Sequence, residues 1–82
     1  MEIILSNDAQ KQFDKLRKSD QAKVRKKLLT LSENPMLGKK LSGDLIVLFS
    51  IRSWPYRILY ERNKQKIRIE IHKIAHRQGV YK

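Results

Sequence analysis

The run Leu45 to Tyr60, LIVLFSIRSWPYRILY, restricts this chain more than any other stretch. Its apolar residues alternate on both sides of a Ser53-Trp54-Pro55 connection, the period-two signature of strands buried on one face. Val47, Phe49 and Ile51 fall on one face, with Leu48, Ser50 and Arg52 on the other. After the connection, Tyr56, Ile58 and Tyr60 oppose Arg57, Leu59 and Glu61. Pro55 has no backbone donor, which confines it to the turn or to the start of the second strand. The stretch predicts a β-hairpin with Arg52 and Arg57 flanking its turn. A guanidinium there calls for a carboxylate, a ligand phosphate or plain solvent, and the pattern leaves all three open.

Glu2 to Leu5 reads as a short first strand. Ser6, Asn7 and Asp8 offer N-cap chemistry, with Gln10 three residues after Asn7 as a capping-box partner. Ala9, Phe13 and Leu16 recur at helical spacing and predict a helix to about Arg17. Ser19 or Asp20 would cap a second helix whose inner face is Val24, Leu28 and Leu31, widened by Leu29. Pro35 stops that helix by about Glu33. So tight a turn between two helices makes an antiparallel helical hairpin.

Residues 36–44 read as a loop anchored by Leu41, and Tyr56 and Tyr60 read as core. Asn63-Lys64-Gln65 closes a second turn, and Lys66 to Ala75 is a further strand with Ile67, Ile69 and Ile71 inward. Its alternation slips at His72-Lys73, since Ile74 is the next apolar residue. A bulge would re-aim the side chains that follow, and a fraying strand end would look the same. The order strand, helix, helix, strand, strand, strand predicts an α+β fold of two layers, with the helical hairpin on one face of a mainly antiparallel four-stranded sheet. A single domain over residues 1–82 is expected, with Leu48, Ser50, Arg52, Arg57, Leu59 and Arg68 on the other sheet face.

Charge narrows the partner. Nineteen lysines and arginines against eight acids give a net charge of +11, which repels itself unless a polyanion or an acidic protein compensates it. Nucleic acid is the favoured class. The chain has no cysteine, and its only histidines, His72 and His76, lack companions at metal-ligand spacing, so neither a metal nor another cofactor is expected. No apolar run approaches the roughly 20 residues of a membrane span, and the first residues carry no basic-then-apolar leader. A soluble, cytoplasmic protein without a membrane partner is expected.

Glycine-rich phosphate loops and a nucleophile–base–orienter set are also missing from the sequence. Metal-free phosphate chemistry remains. RNA cleavage at its own 2′-hydroxyl needs charge stabilisation, a proton acceptor and a proton donor. Arginine suits the first task, because its fork binds phosphate oxygens bidentately and stays charged. Arg52, Arg57 and Arg77 are candidates for it. His76 titrates where a general acid or base should, and Tyr81 offers a ring for an unpaired base. Ser50, Arg52, Arg68 and Lys73 are candidate RNA contacts. Trp54 is either a packed plug or a binding ring.

In chain order, Asn34-Pro35, Lys40-Leu41-Ser42-Gly43, Ile51-Arg52-Ser53, Tyr56-Arg57-Ile58-Leu59-Tyr60 and His76-Arg77-Gln78-Gly79-Val80-Tyr81 resemble the RelE/ParE superfamily of toxins over nearly the whole chain. The resemblance implies a toxin of a type II toxin–antitoxin system, held inactive by a cognate antitoxin. RelE-like members enter the ribosome and cleave mRNA, leaving a 2′,3′-cyclic phosphate. Arg57, Arg77 and Tyr81 match family site positions, and Arg52 matches a basic position at the end of the second strand. Leu48 and Ser50 stand where well-known RelE enzymes carry lysines, and His76 stands where other members often have one. The acid of the YoeB-like branch has no counterpart, with Lys39 and Lys40 in that neighbourhood. ParE-like members share the scaffold, poison DNA gyrase and cleave no RNA, so the resemblance implies either activity.

Overall fold

A computed structural model describes residues 1–41 and 47–76. Its elements are β1 (Glu2–Leu5), α1 (Asn7–Asp14), α2 (Lys18–Glu33), β2 (Lys39–Lys40), β3 (Phe49–Ser53), β4 (Tyr56–Asn63) and β5 (Arg68–His76). The strands form one sheet of order β1-β5-β4-β3-β2. Only the β1–β5 pair is parallel. Ala9 of α1 and Val24, Leu28 and Leu31 of α2 join a core with alternate residues of the strands, from Phe49 and Ile51 through Ile58 and Tyr60 to Ile69, Ile71 and Ile74. This is the expected α+β arrangement of two layers, with five strands in place of four. The extra strand, β2, lies inside the expected loop: Lys39 and Lys40 pair with Ser50 and Phe49. Two residues are too few to show a period.

Several local expectations shift for identifiable reasons. Ser6, not Asn7, caps α1, its hydroxyl accepting from the Ala9 backbone N–H at 3.1 Å. The helix ends at Asp14 rather than near Arg17, because Gln21 of α2 donates to the Phe13 carbonyl at 3.0 Å and Arg17 turns extended to start α2. Neither Ser19 nor Asp20 caps α2; Asp20 instead sits in its first turn and accepts the Tyr56 hydroxyl at 3.0 Å. Leu29 does not widen the buried stripe but is 60% exposed. Val47 precedes β3 and is exposed, while Leu45 and Ile46 lie outside the described residues. Ile67 does not face inward: it belongs to the turn before β5, with a left-handed φ of 52° and an exposed side chain. The Asn63 side chain closes that turn by accepting from the Lys66 N–H at 3.0 Å.

The irregularity at His72 is a bulge. Leu59 pairs with Lys73 and Tyr60 with Ile71, leaving His72 as the extra residue on β5. Each residue after it therefore changes face. Ile74 turns to the core, while Lys73 and Ala75 turn to the face away from the helices.

Near β2 the packing is tight. Tyr60 is fully buried and stacks on Phe49 at 5.6 Å between ring centres, and the Arg62 guanidinium caps the other ring at 3.7 Å. Gly38 passes directly over the Tyr60 phenol. A β-carbon there would overlap the hydroxyl and lie 2.7 Å from the ring carbon bearing it and 2.9 Å from the Ser50 carbonyl oxygen.

Two stability measurements test this packing. Leu28→Ala should lower stability by about 2–5 kcal/mol, a large share of the total for so small a domain, whereas Lys11→Ala should barely move the unfolding midpoint. Gly38→Ala should cost about 1–3 kcal/mol through overpacking. In a double-mutant cycle Tyr60→Phe should relieve part of that loss; strictly additive losses would refute the contact.

Candidate functional site

The face of the sheet away from the helices carries most of the expected site residues, and strand register arranges them. Lys39, Ser50, Leu59 and Lys73 stand abreast across β2, β3, β4 and β5. Beside them Arg52, Arg57 and Ala75 form a second row. Neither row contains a carboxylate. Arg52 and Arg57 are direct cross-strand partners, which brings their Cβ atoms to about 4.5–5.5 Å. The two arms are joined by the two-residue turn Trp54–Pro55, and this fixes the pairing.

A groove of about 560 Å³ opens at the β2–β3 end of these rows, walled by Leu37, Lys39, Lys40, Leu41, Arg52 and Arg57, with the buried Ser50 at its base. Arg57 is half-buried, its Nε closed off from solvent, and Arg52 is exposed. Lys39 and Lys40 were not among the expected site residues. The only signal for them was a lysine pair after Gly38, with no alternation to place it on a strand.

The remaining half of the same face is neutralised within itself. Arg68 pairs with Glu70 at 2.9 Å, and His72 Nε2 meets the Glu61 carboxylate at 3.0 Å. The Arg68 hydrogen bond holds the Glu70 carboxyl below the usual carboxylate range. That contribution is therefore complete at neutral pH and fades only as the pH falls through the lowered value. Arg68 is thus bound to an acid and lies seven residues along β5 from the partner of Arg57, on the order of 20 Å by strand rise. It does not join the groove.

His76 is not brought to Arg57 either. The bulge places it opposite Tyr56 on the side facing the helices, where the two rings meet edge-on at 5.8 Å. Burial first, and then the hydrogen bond to Asp20, push the Tyr56 phenol upward, which keeps its hydroxyl a donor. Burial likewise raises the Tyr60 phenol. Both tyrosines work in packing. Arg77 and Tyr81 lie outside the described residues. Among the described residues, no three histidine, aspartate or glutamate side chains gather as a metal-ligand set, and no helix is long and apolar enough to cross a membrane. Chemically, the groove is a cationic strip with an exposed arginine, a half-buried arginine and two flanking lysines, suited to binding consecutive phosphates.

Comparison with known proteins places this architecture. The toxin–antitoxin complex RelBE2 from Mycobacterium tuberculosis contains a chain that superposes with a TM-score of 0.82 at 27% identity, over 92% of this chain and 95% of that one. In the archaeal RelE–RelB complex from Pyrococcus horikoshii the values are 0.81 and 21%, over 96% and 97%. The YoeB/ParE toxin from Agrobacterium tumefaciens gives 0.77 and 15%, over 93% and 98%. A sequence search of curated proteins finds no significant match. The family profile described as the ParE toxin of type II toxin–antitoxin system, parDE, matches residues 3–81. With nearly the whole chain matched and the helical hairpin, sheet and groove in place, this protein belongs to the ParE toxin family of type II toxin–antitoxin systems, within the RelE/ParE superfamily.

Proposed function

We propose that this toxin is a ribosome-dependent mRNA endonuclease that uses no metal. The observation carrying this reading is the Arg52–Arg57 pair, set directly opposite each other beside the row that runs from Lys39 to Lys73. Several cations gathered on one stretch of sheet surface suit a polyanion. In the proposed reaction the 2′-hydroxyl of one nucleotide attacks the adjacent phosphorus as a base takes its proton. The bond to the 5′-oxygen breaks, that oxygen takes a proton, and a 2′,3′-cyclic phosphate is left. Arg57 and Arg77 stabilise the charge that builds on the phosphate oxygens. Arg52, Ser50, Lys73 and Lys39 hold neighbouring phosphates. Tyr81 stacks on the nucleotide or helps deprotonate it, and His76 is the proposed proton donor. His76 is the last residue of β5, opposite Tyr56 beside the hairpin turn, and acts from that strand end.

The solved relatives named RelE–RelB and RelBE2 are complexes of toxin with antitoxin. By that likeness we assign this chain a cognate antitoxin in the cytoplasm, with an acidic or amphipathic segment over the groove. A second reading, inhibition of DNA gyrase, is favoured by Leu48 and Ser50, uncharged where RelE nucleases carry lysines, and by the family description.

Single-turnover cleavage on programmed ribosomes separates the two. Arg57→Ala and Arg77→Ala should slow cleavage by on the order of 10²–10³, with ribosome binding reduced much less. His76→Gln should flatten the pH–rate profile near neutrality. Tyr81→Phe should retain near-full rate if the ring only stacks. Uncut mRNA together with gyrase-dependent DNA breaks would establish the second reading. The charge argument carries its own check: Arg52→Thr should weaken RNA binding and lower the slope of log affinity against log salt by about 0.7.

A further inference from the structure

The hairpin turn borders a second hollow, on the α2 side of the sheet. It holds about 510 Å³ and is walled by Lys23, Lys26, Lys27 and Thr30 of α2 and by Arg52 and Trp54 of the hairpin. Trp54, the only tryptophan in the chain, is 61% exposed there. Arg52 lines this hollow and the groove alike. Among the described residues the β2 ladder reaches β3 only at Phe49 and Ser50, so the sheet edge at Arg52 lies open between the two. Among the described residues, no carboxylate lines either hollow.

We infer that one single-stranded RNA occupies both hollows. Its phosphates pass from Arg57 over Arg52 to Lys26 and Lys27, and one of its bases stacks on Trp54. The inference rests on the RNA reading above and adds a binding surface to it. An exposed indole among four cations matches a ligand that alternates anionic groups with flat rings, which is what a polynucleotide offers. An acidic peptide would answer the charge but not the ring. A volume near 500 Å³ falls in the range of roughly 300–1,000 Å³ typical of small-ligand sites. By this route the turn residue Trp54, which contributes little to the core, becomes the point that holds the strand leaving the cleavage groove.

The test uses the full chain and a short RNA of roughly 12 nucleotides with 2′-O-methyl groups, which lack the attacking hydroxyl. As the only tryptophan, Trp54 reports this hollow by its own emission, and that measurement needs no variant. RNA should quench it saturably. Trp54→Ala should weaken binding roughly 5- to 100-fold, with partial recovery in Trp54→Phe. Lys26→Gln and Lys27→Gln should each reduce the slope of log affinity against log salt by about 0.7. Polyglutamate of matched charge should leave the emission unchanged. RNA that binds without altering the emission, equal quenching by polyglutamate, or no RNA binding even at low salt would each overturn the inference. Ribosomal cleavage is scored separately: quenching without cleavage removes the nuclease reading and keeps this site, and cleavage without quenching does the reverse.

Discussion

Everything in this fold hangs on the register of β4. Its even-numbered residues, Tyr56, Ile58, Tyr60 and Arg62, enter the layer shared with the helices, while Arg57, Leu59 and Glu61 go to the opposite face. Core and groove are therefore two sides of one strand. A slip of one residue would bury Arg57 and expose Tyr60, losing the core and the cationic strip together. Burial of Ile58 and Tyr60, each fully enclosed, excludes that slip and so holds Arg57 opposite Arg52.

The charge is not spread evenly over the open face. One half closes its own pairs, Arg68 with Glu70 and His72 with Glu61. The other half collects Arg52, Arg57, Lys39 and Lys73 in carboxylate-free rows. Part of the chain's excess of cations is thus gathered along the groove and around the hairpin tip toward the α2 lysines. Among the described residues, three acids have partners away from the groove. Asp20 holds Tyr56, and Glu61 and Glu70 serve the far half of the sheet.

Where β1 ends, α1 side chains take over its bonding role along β5. The Ser6 hydroxyl donates to the His72 carbonyl at 3.2 Å, and the Gln12 side chain accepts from the Ile74 N–H at 2.7 Å. These two bonds span the bulge, so the residue that caps the first helix also supports the irregular part of the last strand. Residues from the start of the chain thus stabilise the turn of face that brings Lys73 beside the groove.

Local periodicity sufficed for much of this protein. The alternation through Phe49, Ile51, Ile58 and Tyr60 marked the hairpin and its buried face, and Val24, Leu28 and Leu31 marked the helix that covers it. The arginines flanking the turn, and with them the cationic character of the site, followed from the same pattern. The slip at His72 was visible too, but its consequence depended on which residues of β4 stood opposite. Only the tertiary pairing decided that the bulge sends Lys73 to the face that carries the groove and His76 to the helical side, that Glu70 removes Arg68 from the cationic set, and that Lys39 joins it. The physical reason is that a period along the chain assigns a side chain to one face or the other, whereas the neighbours on that face come from strands far apart in sequence.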